Sequence, residues 1–168
     1  EFDLVANYTF NIFNKNTISE LDQLGINKFT ISPELNKDII EDFEKISTQE
    51  LICYGRVALM NMNYCPLGKS NHCYPNCTMK CNTNNTYCLK DRMNFMFPLV
   101  PDNIQTVSTL YNSKITSIAP EEFDSQTSLR IDILEETPTE IQEIINTVKS
   151  GKKLSGNQYT NANLNRIV

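Results

Sequence analysis

The sequence predicts an α/β fold built on a parallel sheet with crossover helices, interrupted by an inserted cysteine-rich metal-binding loop. Three observations predict it. The first sixty residues alternate strand-like and helix-like patterns with short links, which argues for parallel pairing through crossovers. Their strands are nearly continuous apolar runs, as burial on both faces requires. Five of the six cysteines (Cys65, Cys73, Cys77, Cys81 and Cys88) then fall within 24 residues that hold almost no aliphatic side chain.

Taken in order, Asp3–Thr9 carries Leu4, Val5 and Tyr8 and reads as a strand. Thr17 or Ser19 caps a short helix that ends at Gly25, with Ile18, Leu21 and Leu24 at helical spacing. Lys28–Ser32 is a second strand. Ser32-Pro33-Glu34 opens a second helix, with proline in its first turn and an acid at its positive end. Leu35, Ile39, Ile40, Phe43 and Ile46 form that helix's apolar stripe. Glu50–Met60 reads as one long third strand through Tyr54-Gly55-Arg56. Asn63–Tyr87 has no aliphatic core except Leu67, so a loop of that length needs an organiser. Strand patterns resume over Met93–Val100, Thr106–Leu110, Lys114–Ile118 and Ser128–Leu134. Pro138–Lys149, with Ile141, Ile144, Ile145 and Val148, is a helix ended by Gly151. Gly156–Val168 is a polar tail. The expected divisions are 1–62, a β-α-β-α-β half; 63–92, the cysteine-rich loop; 93–150, the remaining strands and helix; and 151–168, the tail.

Composition narrows the function. The chain has 168 residues, a 40 % hydrophobic share and a net charge of −5. Its longest basic run is Lys152-Lys153, which gives no support for a duplex-DNA clamp and leaves room for an RNA pocket built from a few arginines. No apolar run approaches the length of a membrane span. The chain starts at Glu1 without methionine and is expected to be a piece of a longer protein.

Two readings of the cysteines compete, a disulfide-bonded secreted domain and a reduced protein holding a metal or cluster. The sequons at Asn7, Asn76 and Asn84 favour secretion weakly, because asparagine is abundant throughout. Five clustered cysteines cannot all pair among themselves, and the flanking α/β pattern needs no staple, so metal is the expected reading. The spacing C-x7-C-x3-C-x3-C-x6-C is neither a zinc ribbon nor a ferredoxin run. Thiolates nonetheless suit Zn²⁺ or a 4Fe–4S cluster. Cys65, Cys73, Cys77 and Cys81 are the expected ligands. Cys88 is the spare and alternative ligand, Cys53 a buried strand thiol, and His72 a minor candidate.

Ordered motifs carry a resemblance. Tyr54-Gly55-Arg56, Met60 and Cys65-Pro66-Leu67-Gly68 resemble the centre of the peptidase U32 family, the collagenase-like proteins. Leu89-Lys90-Asp91-Arg92, Phe97-Pro98 and Leu110-Tyr111-Asn112-Ser113 are similar to later motifs of that family. So are Asn7, Asn11, Asn14 and Ser32-Pro33-Glu34-Leu35 upstream, and Gly151 to Gly156, Tyr159-Thr160 and Asn165-Arg166 in the tail. The resemblance implies a partial TIM-barrel-like sheet in a cytoplasmic protein. It also implies a 4Fe–4S cluster on four cysteines in RNA- or quinone-modifying hydroxylation factors, with collagenase-like peptidases as the other annotated activity. Some members carry a further cysteine where this chain has Thr106. The family's N-terminal barrel half is absent, so the implied partners are that missing half or a second copy, with RNA a candidate and no membrane.

In parallel barrels, function collects where strands end. That makes Asn11, Asn14, Glu34 and Arg56 the rim candidates. Arg56 is suited to grip a phosphate or carboxylate, or equally to pair with Glu34. No G-x-S-x-G and no H-E-x-x-H occurs, so autonomous proteolysis has no support beyond the family name. Two function classes remain. One is a cluster-dependent enzyme that modifies RNA or a small molecule; the other is a metal-organised accessory module without catalysis.

Overall fold

In the computed structural model the described residues are 3–44, 48–73, 76–79, 81, 86–102, 104–123 and 127–165; Ile46, Asn84 and Arg166 lie outside them. The strands are β1 (Val5–Ala6), β2 (Lys28–Thr30), β3 (Thr48–Gly55), β4 (Ala58–Met62), β5 (Tyr87–Lys90), β6 (Met96–Asp102), β7 (Val107–Tyr111), β8 (Ile115–Ser117), β9 (Ser128–Ile131) and β10 (Tyr159–Thr160). The helices are α1 (Lys15–Gln23), α2 (Lys37–Glu44), α3 (Leu67–Ser70) and α4 (Pro138–Lys149). The chain divides into two compact units, one of residues 1–55 and 116–168 and the other of residues 56–115.

The first unit is the expected α/β layer. β1 pairs β2 and β2 pairs β3, both parallel, with α1 and α2 in the two connections. β9 adds a further parallel pairing to β3, aligning Leu51 with Leu129. β8 meets β3 antiparallel, and the sheet runs β1-β2-β3-β8-β10. Among the described residues this sheet is open, so its mostly parallel character is present but the barrel-like closure is not. Ile18 and Leu21 of α1 and Ile40 and Phe43 of α2 are buried against Phe29, Ile31 and Leu51 of the sheet. Phe29 and Phe43 meet edge to face at 6.3 Å, the arrangement that aromatic quadrupoles favour. The tail contributes Leu164 to the same core.

Three local expectations are corrected. Asn14, not Thr17 or Ser19, caps α1, its Oδ1 accepting the Thr17 N–H at 3.0 Å. The second helix starts at Lys37 rather than at Ser32-Pro33-Glu34. Ser32 closes a turn of its own there, its carbonyl taking the Leu35 N–H and its hydroxyl the Glu34 N–H. Asn36 then caps the helix through the Ile39 N–H. The long strand Glu50–Met60 is two strands in different sheets, broken after Gly55. Gly55 has φ +141, and a Cβ there would stand 2.6 Å from Asp132 Cβ and 2.8 Å from its carbonyl oxygen. Only glycine accepts both demands.

The second unit is an antiparallel sheet, β4-β7-β6-β5, which the parallel expectation did not contain. Its register places Met60 opposite Leu110, Leu110 opposite Leu99, and Leu99 opposite Tyr87. The cysteine segment is strung between β4 and β5.

Candidate metal centre

Past β4 the chain does not run out into an open loop. The Cys65 carbonyl accepts the Gly68 N–H at 3.0 Å and starts the single turn of α3. Asn71 N–H closes on the Leu67 carbonyl at 2.9 Å, and Cys73 N–H on the Gly68 carbonyl at 2.7 Å. Eight extended residue steps would carry Cys73 about 26 Å away from Cys65. The helical turn folds them back instead. Cys73 Sγ lies 2.9 Å from the Thr78 hydroxyl. His72 and Met79 adopt left-handed backbone at φ +55 and +54, turning the chain on either side.

Cys65, Cys73, Cys77 and Cys81 line one cavity of about 730 Å³, within the size range of small-molecule pockets. Those are the four expected ligands. Cys88 is not in that wall; it is exposed on β5 opposite Pro98. His72 is likewise exposed and outside the wall. The rest of the wall includes Asn63, Tyr64, Asn71, Asn76 and Thr106, and none of its described side chains carries a fixed charge. No disulfide joins any of the six cysteines. Burial pushes the Cys81 thiol above its ordinary value, and the charge of Cys77, then of Cys65 and Cys73, pushes it further.

Four soft donors in one wall suit Zn²⁺ or an iron–sulfur cluster in their chemistry. Among the described residues no three Cys, His, Asp or Glu side chains are grouped so as to hold an ion. Cys53 is a different case. Burial raises its thiol to about 11, and its Sγ donates to the Arg130 carbonyl at 3.3 Å, which fits the expected core thiol.

The rim candidates take structural positions. Asn11 ends a 3-10 turn in left-handed conformation, its N–H on the Tyr8 carbonyl. Asn14 is the α1 cap. Glu34 is exposed, and its carbonyl accepts from Asn163 Nδ2. Arg56 belongs to the second unit, where its Nη1 donates to the carbonyls of Asn112 and Ser113 at 2.8 and 2.7 Å.

One polar array was not anticipated. Arg130 Nε donates to Asp132 at 2.6 Å, and its Nη1 donates to Asn7 at 3.0 Å and lies 3.6 Å from Glu50. Thr30 Oγ1 donates to the same Glu50 oxygen at 2.8 Å. Burial alone would lower the Arg130 guanidinium, but its hydrogen bond to Asp132 and the two acids outweigh it and raise the value. The opposite charges of Glu50 and Arg130 inside adjacent apolar strands were the sequence signal for it. No family model, no curated protein and no solved structure matches this chain.

Proposed function

We propose that this chain carries a cysteine-ligated metal centre, an iron–sulfur cluster or zinc, held by Cys65, Cys73, Cys77 and Cys81. We further propose that the centre serves an enzyme of the RNA- or small-molecule-modifying, hydroxylation type that the U32-like motifs suggest. One observation carries the reading: the four cysteines expected as ligands line a single cavity, and Cys88, set aside because it adjoins the resumed strands, does not. A cluster would supply one-electron redox or a binding site for substrate, and zinc would supply Lewis acidity or structure. The chain's own residues shape the site: α3 positions Cys65 and Cys73, and the uncharged amides of Asn63, Asn71 and Asn76 offer hydrogen bonds around it. Thr106, where the resemblance places an extra cysteine in some members, stands in the same wall.

On this reading the open sheet of the first unit is part of a barrel-like parallel sheet. Its β1 edge, with Leu4 and Val5 exposed, then takes up a strand from another segment or from a second copy. Reduced thiols belong in a cytoplasmic setting. No described helix is long and apolar enough to cross a membrane.

Anaerobic purification of the full chain, with iron, sulfide and zinc analysis, tests the reading. The expected result is a brown protein with a broad visible band, or a colourless one with one zinc per chain. Cys77→Ser is expected to lose that metal and Cys88→Ser to keep it. Metal-free wild-type protein, or equal loss from both variants, overturns it.

A further inference from the structure

We propose that the polar array around Arg130 is a binding site for a small organic cation that carries a carbonyl beside a primary ammonium. The site belongs to the first unit alone and does not rest on the metal-centre reading. Side chains alternate along a strand, so Thr30 and Glu50 face away from Phe29, Ile31 and Leu51, which share a core with α1 and α2. The array therefore lies on the sheet face opposite those helices. Three of its members mark the carboxyl ends of parallel strands: Asn7 follows β1, Thr30 closes β2 and Asp132 follows β9. In open parallel sheets, ligands bind outside those ends.

Arg130 is held on two of its three nitrogens. Nε donates to Asp132 Oδ1 at 2.6 Å, and Nη1 donates to Asn7 Oδ1 at 3.0 Å and lies 3.6 Å from Glu50 Oε1. Nη2 meets no acceptor among the described residues, and neither Glu50 Oε2 nor Asp132 Oδ2 meets a donor there. Arg130, Glu50 and Asp132 keep 31, 30 and 33 % of their side-chain surface exposed, so a small molecule can reach them. The array thus offers the N–H donors of one fixed nitrogen together with two carboxylate oxygens.

Charge selects the ligand. Two carboxylates and one guanidinium leave the array with one net negative charge, and Lys28 on the same face is already paired with Asp3. A phosphate would meet a guanidinium already neutralised and two acids that repel it. A plain ammonium leaves the Nη2 hydrogens unanswered. A carbonyl on Nη2, with an ammonium on the adjoining carbon facing the carboxylates, answers both and brings the site to neutrality. A ligand that lacks either part leaves a half-buried polar group unpaired, which is the strongest source of discrimination a polar site has.

Chemical-shift titration of the full isotope-labelled chain with glycinamide tests the site, at mildly acid pH where its amine is charged. Ethylammonium and acetamide serve as its two halves, and phosphate as the anion. The expected result is a saturable shift centred on Asn7, Thr30, Glu50, Arg130 and Asp132, with each half weaker by about tenfold or more. Phosphate is expected to leave those residues unmoved. Glu50→Gln and Asp132→Asn keep the side-chain volume and each remove one charge, and each is expected to weaken glycinamide by about tenfold. Ethylammonium binding as tightly as glycinamide, shifts centred elsewhere, no saturable shift, or full affinity in both variants overturns the proposal and leaves the array an internal ion-pair network. If a variant loses its native spectrum, the comparison of probes on the wild-type chain still decides.

Discussion

Replacing Gly55 by alanine tests the packing where β3 ends. The backbone there sits at φ +141, a region that L residues enter at a cost of about 1–3 kcal/mol. The added Cβ would also stand 2.6 Å from Asp132 Cβ and 2.8 Å from its carbonyl oxygen. Neither is the tip of a flexible side chain, so the Asp132 backbone must move, an overpacking cost of about 1–3 kcal/mol. Moving it strains the Asp132 N–H bond to the Tyr54 carbonyl at 2.8 Å and the Arg130–Asp132 pair. The two costs sum to about 4 kcal/mol, a large part of a stability of about 5–15 kcal/mol. With a urea dependence near 2 kcal/mol per molar, the unfolding midpoint is expected to fall by about 2 M. Gly25→Ala is the control. Its φ is +78 and nothing lies within 4 Å, so backbone strain of about 1 kcal/mol is all it meets. Equal midpoints for the Gly55 and Gly25 variants, by circular dichroism in urea, would refute the reasoning.

Two further outcomes follow from the hydrogen bonds. Burial alone would raise the Glu136 carboxyl, but the N–H groups of Leu134, Glu136 and Glu135 and the Tyr54 hydroxyl outweigh it and hold the value below the usual range. A lowered folded value makes its contribution present above the unfolded value and lost as pH falls through the folded one. Urea midpoints are therefore expected to drop more steeply into acid for the wild type than for Glu136→Gln, and parallel slopes would count against this. Arg56→Met gives up two charge-assisted bonds to the Asn112 and Ser113 carbonyls and is expected to cost about 2–3 kcal/mol. Unchanged stability with weakened phosphate binding would return Arg56 to the ligand role its position first suggested.

The elements legible in the sequence are those whose signal is local. Pro138–Lys149 has an apolar stripe, a Thr137–Glu140 capping box and a terminating Gly151, and the helix occupies those residues. The parallel β1-β2-β3 order follows from short links around two amphipathic helices. Gly55 was illegible as a break because apolar residues continue on both sides of it, and the obstacle, Asp132, is 77 residues away. The antiparallel second sheet was illegible for a related reason. Strand direction is decided by partners, and Val107–Tyr111 reads the same in either orientation. Asn11 and Asn14 take capping positions that the sequence did not single out, because an amide that caps a turn and one that binds a ligand use the same hydrogen-bonding groups.

The cysteine wall was legible for a chemical reason. A segment with one aliphatic residue cannot collapse on itself, so its order must come from hydrogen-bonded turns and from whatever its sulfurs hold. The turns Cys65–Gly68, Leu67–Asn71 and Gly68–Cys73 order its first part. They do not settle the thiols' charge. Burial, then the charge of Cys77, Cys65 and Cys73, holds the Cys81 thiol above its ordinary value, so its proton is the harder to remove. On the proposed reading a metal has to displace that proton, so loading is expected to weaken as pH falls, and zinc titrations at two pH values check it.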